Sequence, residues 1–456
     1  MWWQLGQLLE QENRIEGAIA AYQKAIAIHP NLAFNLPEIL RALNSPTVAQ
    51  LEQEDRLVHT SLLREKALKL NRLVAIVFYG RSGSMFMQSL LDSHPSIATT
   101  PGNYLIGFYE FWDAYGHLPV QELIAGFVEC YYQLFDPRLP GWPPFGSPGE
   151  PSGFTKMGLE RNQSLGIDKA TFIQHLTEIL SEQNPISRKF FFQAVHIAYQ
   201  ECLERPATGI DPHIILFSMH VPESSKVEKI VSDFPDSLFL HVVRYPVQSL
   251  GSHFAHHADP NGGNYALDLT LASRLIEHIL FDGVPMLPQY KDRSRAIKLE
   301  DLHRKPRETL EKLCTWLGIA WNDILLKSTF DGIQWWNVQN SPQISGFSEV
   351  TIAKQHKEYL TSFDKFRLNV LLSKKCRLWN YDIPQWYGWI FAKILIFILL
   401  IIPFKMELIS FFDSPIKNTL KVHVQGIFES FIECRKMLWR AWRHTFKSQE
   451  NELDLL

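Results

Sequence analysis

The chain has 456 residues, 46% hydrophobic and 20% charged, with a formal net charge of −3. That is ample apolar material for one large domain with additions, and the charge gives no electrostatic case for nucleic-acid binding. Five scattered cysteines without a C-x-x-C pair argue against a disulfide framework and for a reducing compartment.

No secretory signal is read at the start, because Met1-Trp-Trp-Gln-Leu-Gly6 lacks a basic region and is already patterned as a helix. Trp2, Leu5, Gly6, Gly17, Ala18, Tyr22, Ala25 and Pro30 match the spacing of a tetratricopeptide repeat. Small Gly6, Ala18 and Ala25 would let two antiparallel helices approach, with Trp2, Leu5 and Tyr22 filling the gap. One such unit cannot bury its faces alone, so the helical pattern of residues 38–69 is expected to cover it.

Next comes a buried strand from Leu73 to Phe78. Gly80-Arg81-Ser82-Gly83-Ser84-Met85 follows as a tight turn into a helix. Amide N–H groups at such a helix start converge on one spot, and the dipole adds partial positive charge. Gly80 and Gly83 allow close backbone approach, Arg81 brings a permanent charge, and Ser82 and Ser84 bring hydroxyls. The expected ligand is a phosphate or phosphosulfate. The G-x-x-x-x-G-K-[ST] pattern of nucleoside-triphosphate loops is absent, since no lysine follows the second glycine.

Residues 103–211 hold a Pro/Gly-rich loop and the aromatics Tyr104, Phe108, Tyr109, Phe111 and Trp112. These suit either an acceptor-binding insertion or a helix core. A third apolar strand, Ile214 to Met219, leads to His220, whose ring could accept a proton near neutrality. Another buried strand ends at Arg244, and Ser252 lies eight residues on. Ligands in open α/β sheets bind outside the carboxyl ends of strands, so Arg244 and Ser252 could close on one anion. His253, His256 and His257 share a helix face, but no carboxylate or cysteine completes a ligand set, and no metal is expected.

After a strand at residues 296–298, Leu310, Leu313, Cys314 and Leu317 form one apolar helix face that Gly318 ends. Residues 333–359 read as a polar loop, from which Phe347 or Lys354 could reach a ligand. Residues 386–404 are a run of nineteen with one lysine and an aromatic rim, just long enough to span a bilayer. Lys393 could snorkel, and basic residues on both sides set no orientation; a helix lying in the interface, or a hairpin, stays open. Residues 424–446 suggest an amphipathic helix, with Ile427, Phe428, Phe431, Leu438, Trp439 and Trp442 against Arg435, Lys436, Arg440 and Arg443.

Three of these segments together, over residues 71–384, resemble the sulfotransferases. That family reads R-S-G-T-T, a helix, then L-L-D-x-H-P; here stand Arg81-Ser82-Gly83-Ser84-Met85 and Leu90-Leu91-Asp92-Ser93-His94-Pro95. Met85 replaces the second threonine, so one hydroxyl is lost. Phe234-Pro235-Asp236, Arg244 and Ser252 resemble the family's 3′-phosphate site. Glu300-Asp301-Leu302 and Leu378-Trp-Asn-Tyr381 resemble its later segments.

The resemblance implies an α/β fold, a P-loop-like parallel sheet flanked by helices. It implies sulfuryl transfer from 3′-phosphoadenosine 5′-phosphosulfate to a hydroxyl or amine, without a metal. Gly80, Arg81, Ser82, Gly83, Ser84 and Met85 would hold the 5′ end of this donor, and Arg244 and Ser252 its 3′-phosphate. Arg81 and His220 would be catalytic; His220 stands where small-molecule members read Thr-His-Leu-Pro and many bacterial ones Lys-Thr-Pro. The glutamate base of protein-tyrosine sulfotransferases is missing at Pro101-Gly102. By likeness to bacterial repeat fusions, residues 1–70 form a repeat-like region, 71–384 the sulfotransferase domain and 385–456 a membrane-associated tail. The expected partners are an acceptor (glycan, lipid, peptide or small molecule), a protein at the repeat-like region, and a membrane. The catalytic domain would face the cytoplasm, with a soluble cytoplasmic protein as the alternative. The rivals are an inactive scaffold, which Met85 and the missing glutamate allow, and a P-loop kinase, which the missing Gly-Lys opposes.

Overall fold

A computed structural model describes residues 1–12, 14–29, 48–78, 80–147, 152–181, 183, 185–203, 209–220, 224–258, 273–276, 288–337, 343–413, 420–446 and 454–456. The chain divides into two compact units, Met1–Leu63 and Arg64–Leu456.

The first unit contains helices α1 (Trp2–Gln11) and α2 (Ile15–Ile28), and the start of α3 (Val48–Lys69). Gly6 permits the close approach of α1 and α2, because a Cβ there would stand 2.6 Å from the Tyr22 ring. The gap is filled differently from the sequence expectation. Trp3 and Leu9, with Ile19, pack on Ala18 and Tyr22, while Leu5 is exposed. Trp2 lies at the edge under the Lys24 ammonium. Tyr22 donates to a Glu10 carboxylate oxygen at 2.7 Å, which ties the two helices by a side-chain bond as well. The first part of the expected cover, residues 38–47, lies outside the described residues.

In the second unit the chain runs β1 (Arg72–Phe78), α4 (Ser84–Leu91), β2 (Ile97–Thr99), α5 (Phe108–Tyr115), α6 (Val120–Cys130), α7 (Lys169–Leu180) and α8 (Arg188–Glu201). It continues through β3 (Ile214–His220), α9 (Ser224–Asp233), β4 (Leu238–Val243), α10 (Pro246–Ala258), β5 (Ser294–Lys298), α11 (Leu299–Arg304) and α12 (Pro306–Leu317). The last elements are β6 (Thr329–Phe330), β7 (Ile333–Gln334), α13 (Glu349–Ala353), α14 (Ser362–Leu371), α15 (Ser373–Leu378), α16 (Ile390–Leu399), α17 (Lys405–Asp413), α18 (Leu420–His444) and β8 (Asp454–Leu455).

Six strands form one sheet in the order β2-β3-β1-β4-β5-β8, and every pairing in it is parallel. Nearly all of β1 and all of β4 are buried, as continuous apolar strands are when helices cover both sheet faces. From β1 the chain first goes to one side of the sheet and later, through β4, to the other. The carboxyl end of β1 is therefore the switch point where such sheets bind ligands. Phe78, the last residue of β1, pairs with His220 on one side and Val242 on the other. This register brings the ends of three strands together.

Helix α12 buries Leu310, Leu313, Cys314 and Leu317, and Gly318 ends it in the left-handed conformation at φ 69°, as the sequence pattern indicates. The aromatics of residues 104–111 are core. Phe108 lies 4.3 Å from Phe192 between ring centroids, and Phe111 packs edge-on against Phe127.

The expected bilayer-spanning run is not one helix. Helix α16 holds only ten residues of it, about 15 Å at the ordinary rise and half of a hydrocarbon core. Among the described residues no helix is long and apolar enough to cross a membrane. Two buried arginines explain the stop. Arg367 donates to the carbonyls of Leu399 (3.0 Å), Ile402 and Pro403 (3.2 Å) and pairs with Asp364 at 2.6 Å. Arg435 donates to the carbonyls of Leu400 and Ile402 and pairs with Glu407. These guanidiniums satisfy the carbonyls that the next helical turn would have used, and Pro403 lacks an N–H to continue it. Ala392, Ile396 and Leu400 then join the same core as Phe254, Leu368 and Leu372. Arg435 is accordingly buried, not part of an exposed basic face as the tail's pattern suggests.

Candidate active site

Three backbone positions shape the loop after β1. Gly80, Arg81 and Gly83 have φ of 55°, 52° and 98°. Glycine is needed at Gly80 and Gly83 for space as well as for φ. A Cβ on Gly80 would lie 2.2 Å from His253 Nε2, and one on Gly83 would lie 2.5 Å from a Leu299 methyl. Gly83 is the N-cap of α4 and supplies no side-chain cap, so the N–H groups of the first turn stay open to an anion. Ser84 begins that helix, and the Met85 methyl approaches Gly102. The loop is held from the far side by Ser249, whose hydroxyl donates to the Gly80 carbonyl at 3.0 Å. Ser82 is buried, and its hydroxyl has no partner among the described residues.

Arg81 and Ser252 meet, with Arg81 Nε 3.4 Å from the Ser252 hydroxyl. The two segments that the sequence placed at opposite ends of one ligand are therefore neighbours. Arg244 is 6% exposed; one Nη donates to the Thr351 carbonyl at 3.0 Å, and its Nε has no partner among the described residues. Neither arginine is paired with a carboxylate among the described residues. Burial, then the nearby charge of Arg244, pushes the Arg81 pKa down to about 10. Burial lowers that of Arg244 as well. Two cations that disfavour one another could together receive a polyanion, because a ligand with several negative charges relieves both penalties at once.

Glu300 is the acid near this pair, and both of its oxygens are used. It accepts the Tyr245 N–H at 3.0 Å and the Tyr381 hydroxyl at 2.7 Å. This fixes the residue after Arg244 and makes the Glu-Asp-Leu segment a support of the site. His220 ends β3 beside Phe78, at the mouth of the same crevice; its side chain lies outside the described part.

Sequence reading missed several neighbours. Gln88 donates to the Thr99 hydroxyl (3.1 Å) and the Thr100 carbonyl (2.9 Å) and accepts from Ser218, so it bolts α4 to β2 and β3. Its signal was a polar residue among Phe86, Met87, Leu90 and Leu91 in a buried helix. His303 stacks on Phe86 at 4.7 Å, accepts the Ser348 N–H at Nδ1, and meets the edge of Phe347. His356 crosses α10 at Gly251, where a Cβ would stand 2.9 Å from its own. Burial, with Arg244 next, pushes the pKa of both His303 and His356 down to about 4. No sequence pattern marked these two rings, since His303 arrives from α11 and His356 from a loop far along the chain.

A family model described as a sulfotransferase family matches residues 74–323. The chain is similar in structure to the sulfotransferase domain from the curacin biosynthetic pathway, at 18% identity and TM-score 0.36 over 69% of this chain and 99% of that one. It is similar to the sulfotransferase domain of the Synechococcus PCC 7002 olefin synthase, at 15% identity and TM-score 0.37 over 69% of this chain and 96% of that one. A sulfotransferase from Mycobacterium avium shares 11% identity at TM-score 0.32, over 69% of this chain and 78% of that one. No curated protein matches the chain in sequence. The matched residues make up more than half of the chain and contain the loop after β1, Arg244, Ser252 and Glu300, and on that match the chain belongs to the sulfotransferase family.

Proposed function

We propose that the chain transfers a sulfuryl group from 3′-phosphoadenosine 5′-phosphosulfate to a hydroxyl or amine. One observation carries this reading: the half-buried Arg81 and the buried Arg244, without carboxylate partners among the described residues, stand beside a helix start that has no side-chain cap. That arrangement suits a ligand carrying several negative charges, which both arginines can share. The open amides of α4, Ser82, Ser84 and Arg81 are assigned to the 5′ end, and Arg244 with Ser252 to the 3′-phosphate. When bound, the donor supplies an activated sulfuryl group.

The chain's own residues supply charge and a proton acceptor. Arg81 is half-buried at the loop, where a fixed positive charge acts more strongly than in open water. His220 is assigned to take the proton that the acceptor hydroxyl or amine sheds, as an imidazole at a strand end can near neutral pH. The acceptor is a glycan, lipid, peptide or small molecule, and the α1–α2 hairpin is offered as a repeat-like surface for a protein partner.

The test uses radiolabelled donor sulfate with a panel of hydroxyl and amine acceptors. Wild type is expected to label an acceptor. His220→Ala is expected to bind nucleotide normally while labelling falls about 100-fold or more, the usual range for a general base. Binding with no labelling of any acceptor would favour a donor-binding scaffold, for which the loss of a hydroxyl at Met85 is the supporting feature.

A further inference from the structure

The exposed apolar surface of the second unit is concentrated on one element. Trp389, Ile390, Phe391, Ile394, Ile398 and Ile401 are each half exposed or more, and Phe391 reaches 78%. The other face of the same helix is anchored, because Ala392 and Ile396 sit in the core. Large apolar side chains exposed this far on one element are the kind of surface that marks a docking or membrane face. Residues 383–406 contain no acid, and their only charges are Lys393 and Lys405. Lys393 reaches back to the Thr445 carbonyl at 2.8 Å, so it does not interrupt the patch.

A basic cavity adjoins this face. The turn Gln385–Gly388 leads directly into α16 and carries exposed Trp386. Its Tyr387 lines a cavity of about 400 Å3 together with Lys357, Lys365, Phe366 and Asn369. Burial, then the charge of Lys357, holds the Lys365 ammonium below its usual pKa, which an anion between the two would relieve.

A second copy of the chain would cover the apolar face but would bring like-charged lysines to it. A bilayer surface supplies all three chemistries together: acyl chains for α16, an interfacial zone for Trp386 and Trp389, and phosphates for the lysines. We propose that α16 and the Lys357–Lys365 cavity seat the chain on an anionic phospholipid bilayer as an attachment that does not span it. This rests on surface chemistry and is read without any transfer assay.

The experiment is flotation of the full chain with phosphatidylcholine vesicles and with vesicles containing a quarter phosphatidylglycerol. The expected result is binding to the anionic vesicles at least about tenfold stronger than to the neutral ones. Trp389→Ser with Phe391→Ser should weaken binding to both vesicle types about tenfold or more. Lys357→Glu with Lys365→Glu should abolish the preference for anionic vesicles. Unchanged circular dichroism shows that the variants remain folded. Equal flotation of wild type and the Trp389/Phe391 variant would overturn the proposal. So would equal binding to both vesicle types, or a dimer in vesicle-free ultracentrifugation that the same apolar substitutions dissociate.

Discussion

Replacing Arg367 by methionine tests why the long apolar run folds back on the domain. Arg367 is 0% exposed and holds four partners: the carbonyls of Leu399, Ile402 and Pro403, and Asp364. Its guanidinium also lies 3.9 Å from the Phe404 ring centroid. Methionine fills much of the volume but removes the cation from the Asp364 carboxylate and the Arg367 donor from the Pro403 carbonyl, while the Leu399 carbonyl keeps the Ile402 N–H and the Ile402 carbonyl keeps Arg435. Breaking a buried ion pair from one side costs about 3–5 kcal/mol. The stranded Pro403 carbonyl adds about 1–3 kcal/mol if no water reaches it. Asp364 keeps some support, since it accepts from the Thr361 N–H and hydroxyl in a capping box. The net expectation is a loss of about 3–5 kcal/mol, a large part of the stability of a typical domain. Urea denaturation followed by tryptophan fluorescence would read it. Adding Asp364→Asn should recover part of the loss, because the uncompensated charge is gone while a capping oxygen remains. A single variant within about 1 kcal/mol of wild type would refute the reasoning and leave the end of α16 to Arg435 and Pro403.

Two further predictions concern the site. Gly83→Ala places a Cβ 2.5 Å from a Leu299 methyl at φ 98°, so it should cost about 2 kcal/mol or more and weaken nucleotide binding; unchanged calorimetric binding would count against the loop geometry. The rings of His303 and His356 are held neutral with pKa near 4, and burial alone holds His196 there as well. An unfolded histidine takes its proton near 6.5, so below that pH the unfolded chain binds more protons than the folded one. Stability should therefore fall as pH drops from about 6.5 to about 4. Bound 3′-phosphoadenosine 5′-phosphate should blunt that fall, since its charge favours protonated rings near Arg244. A flat urea midpoint across this window would contradict the assignment of neutral, buried rings.

Much of the site could be read from the chain because its information is local. Buried strands ending in Gly80-Arg81 and in Arg244 can be recognised one at a time, and parallel pairing then places their ends side by side. Gly80 and Gly83 likewise announced their conformations. What could not be read depends on partners distant in sequence. An apolar run of nineteen residues looks the same whether it meets lipid or Leu368 and Leu372. Arg367 and Arg435, from two other helices, help to decide where its helix stops. In the same way Trp2 and Trp3 are equal candidates by composition, and helix phase selects Trp3 for the Tyr22 contact. His356 reaches the crevice on a loop whose course no short pattern encodes, and His303 meets it from helix α11.

Calorimetric titration reads whether the crevice takes a nucleotide with phosphates at both ends. 3′-Phosphoadenosine 5′-phosphate and ADP would each be titrated into wild type and Arg244→Ala. Wild type should clearly prefer the 3′-phosphorylated nucleotide, about tenfold or more as befits a charge-assisted contact, and the variant should lose that preference. Equal affinity of wild type for both nucleotides, or no binding of either, would contradict it.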